Sequence, residues 1–201
     1  MKLYAAAASP FARKVRVVML ETGQDKDITT QMIKTAPTNP NDELSQTNPL
    51  SKIPALTRDD GPAIYDSRVI CRYLDDRAKA GLYPASRLYE VLTLEATADA
   101  MMDATVLMSY EARVRPAQKQ FSDWTDAQWA KTARALTAIE ERWMSHLSGP
   151  LNAAQIAVAC TLGYIDFRHD ARNWRKGHDK LAAWYAEFAK RPSMQATAPT
   201  D

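Results

Sequence analysis

The stretch "NPLSKIPALTRDDGPAIYDSRVICRYL", Asn48 to Leu74, sets two short apolar runs either side of a turn and follows them with a helix start. Ala55–Thr57 and Ala63–Tyr65 flank Arg58-Asp59-Asp60-Gly61-Pro62, which predicts an antiparallel hairpin with its turn at the Asp-Gly step. Asp66-Ser67 then opens a helix, with Ile70, Tyr73, Leu74 and Arg77 spaced along one face. Upstream, Lys2–Ala5 reads as a strand, and Pro10–Thr22 as a helix with Phe11, Val15, Val18 and Met19 on one face before Gly23 stops it. Ile28–Met32 is a second strand candidate, followed by the Pro- and Asn-rich loop Ala36–Asn41 and a helical turn near Asp42–Gln46. The order is βαβ, then ββα.

After Gly81-Leu82-Tyr83-Pro84 the pattern becomes helical throughout, from Arg87 to Arg191, with boundaries near Pro116, Thr125, Gly149-Pro150 and Gly177. Thr125 and Gln128 have capping-box spacing ahead of a stripe formed by Leu136, Ile139, Trp143 and Leu147. Asn152 and Gln155 repeat that spacing before Ile156–Cys160. Leu181, Trp184, Tyr185 and Phe188 mark the last helix, which ends at Arg191-Pro192 and leaves Ser193–Asp201 as an expected loose tail. The expected fold class is α/β plus all-α: an α/β domain over residues 1–80, a linker over 81–86 and a helical domain over 87–201.

The 201 residues carry 26 Lys and Arg against 24 Asp and Glu, a formal charge of +2, without a basic block. Nucleic acid is therefore not an expected partner. The apolar run Ile156–Leu162 is too short to cross a bilayer, and Met1-Lys2 leads into a strand pattern, so a cytoplasmic protein without a membrane partner is expected. Cys71 and Cys160 lie far apart within helical patterns and read as packing thiols. His146, His169 and His178 have neither metal-ligand nor triad spacing, so no metal is expected.

Two helix starts and one loop carry candidate chemistry. Ser9-Pro10 is an ordinary start, since Ser accepts from an orphan N–H and Pro has none to leave unpaired. Asp66 is an ordinary N-cap as well, but its charge favours an ammonium, while the Ser67 hydroxyl and the free helix N–H groups favour a carboxylate. Ile53-Pro54 stands in a loop just before a strand, with Lys52 ahead of it as either a solvated surface lysine or a ligand contact.

Taken together and in order, "ASPFARKV", "NPLSKIPAL" and "IYDSRVICRYL", with "LNAAQIAVACTLGYIDFRH" and the terminal "KRPSMQAT", resemble the cytosolic glutathione transferase family over essentially the whole chain. The resemblance implies a thioredoxin-like N-terminal domain, a helical C-terminal domain, glutathione as co-substrate and a small electrophilic second substrate. It implies a cis bond at Ile53-Pro54, which X-Pro tolerates. The exposed Ile53 backbone then pairs with the cysteinyl part of glutathione as a strand pairs with a sheet edge. Asp66 and Ser67 take the γ-glutamyl end, Lys52 the glycyl end or peptide backbone, and Ser9 matches the family's Tyr, Ser or Cys position. A Ser9 hydroxyl donating to the sulfur lowers the thiol pKa without itself attacking anything. Serine also argues against the family's redox branches, which use cysteine there.

Phe11, Met102, Val106 and Tyr110 are the expected electrophile-side residues, the last three at i, i+4 and i+8 on one helix, where a core role fits equally. Asp99 and Asp103 share a neighbouring face. The resemblance also implies a homodimer through the Ser67 helix and the partner's Arg87 helix. Two features depart from the family pattern: the bland Ala5–Ala8 run, and Asn152 with Gln155 where Ser or Thr with Asp is usual. The alanine run keeps open a second reading, a non-catalytic protein of the same fold that binds glutathione or a protein partner.

Overall fold

β1 (Lys2–Ala5) lies at the centre of a three-stranded sheet, between β2 (Thr29–Met32) and β3 (Ala55–Thr57). It runs parallel to β2, with Lys2 opposite Thr29, and antiparallel to β3, with Tyr4 opposite Ala55. The parallel pair requires a crossover, supplied by α1 (Pro10–Glu21). Leu3, Tyr4 and Ala5 are all buried, so the central strand is apolar on both faces instead of alternating. α3 (Ser67–Ala78) packs on α1, with Val15, Val18, Ile70 and Leu74 wholly buried. The short α2 (Asp42–Thr47) buries Leu44 against Tyr4, and its Glu43 accepts from the Tyr4 hydroxyl at 2.8 Å.

The computed structural model describes residues 1–201 and divides into two units, Met1–Arg87 with Arg191–Asp201, and Leu88–Lys190. Two expectations for the first unit are corrected. The strand at Ala63–Tyr65 reduces to a single bridge, Ile64 to Leu56, closed by hydrogen bonds of 2.9 and 3.0 Å. Pro62, which has no N–H, precedes it and the α3 N-cap Asp66 follows, so the run has no room to extend. The end of the chain is not a loose tail: Pro192–Ala196 forms α9 on α1, with Ser193, Met194 and Thr197 buried. Burying the Met194 side chain contributes about 1.5–3 kcal/mol, less than the roughly 5–10 kcal/mol that fixing five backbones costs, so the polar anchors on α1 are needed as well.

The second unit is a helical bundle of α4 (Leu88–Val114), α5 (Ser122–Arg142), α6 (Met144–Leu147), α7 (Ala153–His169) and α8 (Asp179–Phe188). α7 is buried on every side from Ala153 to Ile165, the mark of a central helix. The capping box at Asn152 and Gln155 forms as expected, with Gln155 N–H donating to Asn152 Oδ1 at 3.1 Å. Gln155 Nε2 also donates to the Leu147 and Gly149 carbonyls at 3.1 and 3.0 Å, tying the α6–α7 connection to the helix start. The expected capping box at Thr125 does not form. α5 begins a turn earlier, and the Thr125 hydroxyl donates back to the Ser122 carbonyl at 2.7 Å. The Phe121 N–H at that start is taken by Glu111 Oε1 at 2.9 Å, a long-range contact that local spacing does not encode.

Candidate active site

Strand direction gathers the candidate residues at one end of the sheet. The Ala6–Ser9 turn leaves the C-terminal end of β1, and because β3 is antiparallel with Tyr4 opposite Ala55, the Lys52-Ile53-Pro54 loop enters at the same end. The Ile64–Leu56 bridge is antiparallel too, so the chain from Ile64 to Asp66 runs back towards Pro54. Ile53 and Tyr65 both pack on the cluster of Tyr4, Leu44 and Ala55. The three segments, separate motifs in sequence, thus lie at one end of the sheet.

Ser9 is the N-cap of α1, and its Oγ accepts from the Ala12 N–H at 3.2 Å. That bond uses a lone pair and leaves the hydroxyl proton to be donated elsewhere. Capping the helix and donating to a sulfur are therefore compatible roles for one side chain. Pro10 holds the first helical position, and the positive end of the α1 dipole favours negative charge beside Ser9.

The Ile53–Pro54 peptide bond is cis, as is Tyr65–Asp66. Asn48, 1% exposed at the end of α2, shapes the intervening loop. Its Nδ2 donates to the Lys52 carbonyl at 2.8 Å, and its Oδ1 accepts from the Leu50 N–H at 3.0 Å. Lys52 is exposed, and Ile53 is half-buried.

Asp66 caps α3, its Oδ1 accepting from the Arg68 N–H at 3.0 Å, while Oδ2 accepts from Arg68 Nη2 and Nε at 2.9 and 3.3 Å. Burial by itself would raise the Asp66 carboxyl. The Arg68 hydrogen bonds and charge, with a further contribution from the Lys14 charge, outweigh that and hold it below its ordinary value. Ser67, 1% exposed, stands behind Asp66 in the first turn. Asn48, Arg68 and the 1% exposed Lys14 were missed in the sequence reading. An Asn directly after a helix and before Pro49 is a readable loop signal, whereas Lys14 reads as a surface charge until the fold buries it, and Arg68 is an exposed charge whose partner Asp66 lies two residues away.

The electrophile-side candidates differ in exposure. Met102 is wholly buried, Val106 half-buried and Tyr110 39% exposed along α4, and Phe11 is half-buried on α1 of the other unit. Asp99 is buried and Asp103 exposed. A separate groove of about 610 Å³ lies between α4 and α5, lined by Tyr89, Leu92, Ala96, Ala100, Lys131 and Ala135 among others. No group of three or more His, Cys, Asp or Glu side chains is placed to hold a metal ion. His169 and His178 are engaged by the Thr105 and Trp174 carbonyls. Cys71 and Cys160 are buried thiols, and no helix is long and apolar enough to cross a membrane.

Comparison with known proteins gives the same architecture. The family description "Glutathione S-transferase, N-terminal domain" matches residues 8–77 and "Glutathione S-transferase, C-terminal domain" matches residues 122–187. A glutathione transferase family member from Pseudomonas fluorescens Pf-5, solved with bound glutathione, is 45% identical, with a TM-score of 0.97 over 100% of this chain and 99% of that one. A second structure from that organism, with bound S-(propanoic acid)-glutathione, is 43% identical, with a TM-score of 0.92 over 100% of both chains. The uncharacterized GST-like protein YibF of Escherichia coli K12 is 33% identical across 99% of this chain and 98% of its own. With its thioredoxin-like N-terminal domain, small mixed sheet and helical C-terminal domain, the chain belongs to the glutathione S-transferase family.

Proposed function

We propose that the protein is a glutathione transferase in which Ser9 stabilises the glutathione thiolate for attack on a small electrophile. The observation that carries this reading is the convergence of the Ser9 helix start, the Ile53–Pro54 cis bond and the Asp66-capped helix at one end of the sheet. Glutathione bound to a 45% identical relative, and an S-alkylated glutathione bound to a 43% identical one, support both the ligand and the position of the chemistry on its sulfur.

Each residue then has a distinct task. The Ile53 N–H and C=O hold the cysteinyl backbone beside the cis-proline, and Asp66 takes the γ-glutamyl ammonium. A carboxylate has about four lone-pair sites, so the Arg68 bonds leave Asp66 capacity for a ligand. The α3 N-terminus with Ser67 takes the γ-glutamyl carboxylate, and Lys52 the glycyl end. Ser9 donates to the sulfur, and because that bond strengthens with negative charge, the thiol pKa falls and the nucleophile is populated near neutral pH. Attack forms the sulfur–carbon bond while the electrophile accepts the electron pair in a leaving group or a conjugated system.

The protein acts as a homodimer in a reducing cytoplasm in this reading. Exposed Val69 on α3 and exposed Tyr89 and Leu92 on α4 support the first point, and the buried thiols the second. The test is a glutathione titration followed by thiolate ultraviolet absorbance at neutral pH, in the native protein and Ser9→Ala. Native protein is expected to bind glutathione as thiolate and the variant only as thiol. Binding without a thiolate signal in either would favour a non-catalytic glutathione-binding protein, and no binding in either would remove the transferase reading.

A further inference from the structure

The end of the chain grips α1 at both of its ends. Arg191 forks onto Glu21, Nε donating to Oε1 at 2.8 Å and Nη2 to Oε2 at 2.7 Å, and Ser193 Oγ donates to the same carboxylate. Two turns nearer the N-terminus, Arg13 Nη2 donates to the Met194 carbonyl at 3.0 Å, and its Nε reaches Thr197 Oγ1 at 3.5 Å. Arg13 and Glu21 stand about 12 Å apart along the axis at ~1.5 Å per residue, so α9 runs back along α1 from its end towards its start. Arg13 is only 5% exposed and is held there by the chain terminus.

Arg13 is also the residue that closes the first turn of α1. Its backbone N–H donates to the Ser9 carbonyl at 2.9 Å, one residue beyond the Ala12 N–H that bonds the Ser9 hydroxyl. Ser9 and Met194 therefore hang on opposite ends of one residue. A hydrogen bond to sulfur weakens steeply as the donor leaves its line, so small tilts of this turn change how well the hydroxyl serves a thiolate.

We propose that Arg13 and the terminal segment Arg191–Thr197 are positioning elements for Ser9, and that the end of the chain thereby tunes the acidity of the bound glutathione thiol. The proposal rests on the thiolate reading given above. In this arrangement Arg13 acts through the turn that carries Ser9. Glu21 supports the arrangement: the Arg191 hydrogen bonds hold its carboxyl below its ordinary value although partial burial opposes this.

The experiment is a pH titration of the bound thiolate absorbance in native protein, Arg13→Met, Arg13→Lys and a chain ending at Lys190, each checked by circular dichroism and thermal melting. Arg13→Met and the shortened chain are expected to raise the bound thiol pKa by about 0.5–1, since a weakened hydrogen bond to the charged form favours the neutral one. Arg13→Lys keeps a donor for the Met194 carbonyl and is expected to retain the native value. A synthetic Arg191–Asp201 peptide is expected to restore the shortened chain. A merely structural role lowers the melting temperature and leaves the thiol pKa unchanged, and that result overturns the proposal. Should the shortened chain fail to fold, Arg13→Met against Arg13→Lys decides alone. If native protein forms no bound thiolate, the transferase reading and this proposal fall together; if it does and Arg13→Met matches it, only the proposal falls.

Discussion

Arg68 closes a fork on Asp66, Nη2 and Nε reaching Oδ2 at 2.9 and 3.3 Å, while the Arg68 N–H occupies Oδ1 at 3.0 Å. The carboxylate that caps α3 is thereby oriented and its pKa held below the ordinary value. Asp66→Asn separates capping from the proposed ligand role, because Asn is as good an N-cap as Asp but carries no charge. Glutathione affinity is expected to fall about 10–100-fold, matching the ~1.5–3 kcal/mol of a hydrogen bond to a charged group, with little change in melting temperature. Calorimetric titration alongside thermal melting checks this, and an unchanged affinity would take Asp66 out of the site.

Asn48 is buried and bonds two loop backbone groups, the Lys52 carbonyl and the Leu50 N–H. Asn48→Ala leaves both without their partner and is expected to cost about 1–3 kcal/mol of stability. Because that loop presents Ile53, the same variant is expected to weaken glutathione binding. Denaturant unfolding read with glutathione titration measures both, and a stability loss with native affinity would confine Asn48 to the fold.

Gln155 is 2% exposed and donates from its amide to the Leu147 and Gly149 carbonyls while its Oε1 accepts from the Asn152 N–H at 3.4 Å. Gln155→Ala removes these bonds inside a buried connection and is expected to destabilise by about 2–3 kcal/mol. Asn152→Ala removes one cap acceptor and is expected to cost about 1 kcal/mol. Equal losses in chemical denaturation would contradict the larger role given to Gln155.

His169 holds α7 to α4 through Nε2, 2.8 Å from the Thr105 carbonyl. Burial pushes its pKa below the ordinary 6.5, with the Arg172 and Arg168 charges assisting and the Thr105 bond opposing. The unfolded chain therefore binds this proton more readily than the folded one. Stability from this group is complete above about pH 6.5 and declines as pH falls from there towards the folded value. His169→Gln is expected to flatten the fall in melting temperature between about pH 7 and pH 5 relative to native protein. An unchanged slope would show that other groups govern it.

The first unit was legible because its signals are local: an apolar strand, a Ser-Pro helix start, an X-Pro loop and an Asp-Ser start each carry their backbone geometry in adjacent residues. The helical half was legible from its period, and the Asn152–Gln155 box from its spacing. Thr125 had the same spacing and failed, because the Phe121 N–H that starts α5 finds an acceptor in Glu111, ten positions away. Local pattern cannot register such a partner.

Sequence by itself determined the family, most of the helices, the paired strands and the helix starts at Ser9 and Asp66, since helix caps and X-Pro bonds depend on near neighbours. Tertiary structure alone decided that their segments lie at one end of the sheet, through the Tyr4–Ala55 register and the Ile64–Leu56 bridge. It also turned an expected tail into α9, because Arg191 and Met194 find Glu21 and Arg13 across nearly the whole length of the chain. The physical reason is the same in both cases: a buried charge or carbonyl is stabilised by whichever partner the fold brings to it, and sequence distance does not limit which partner that is.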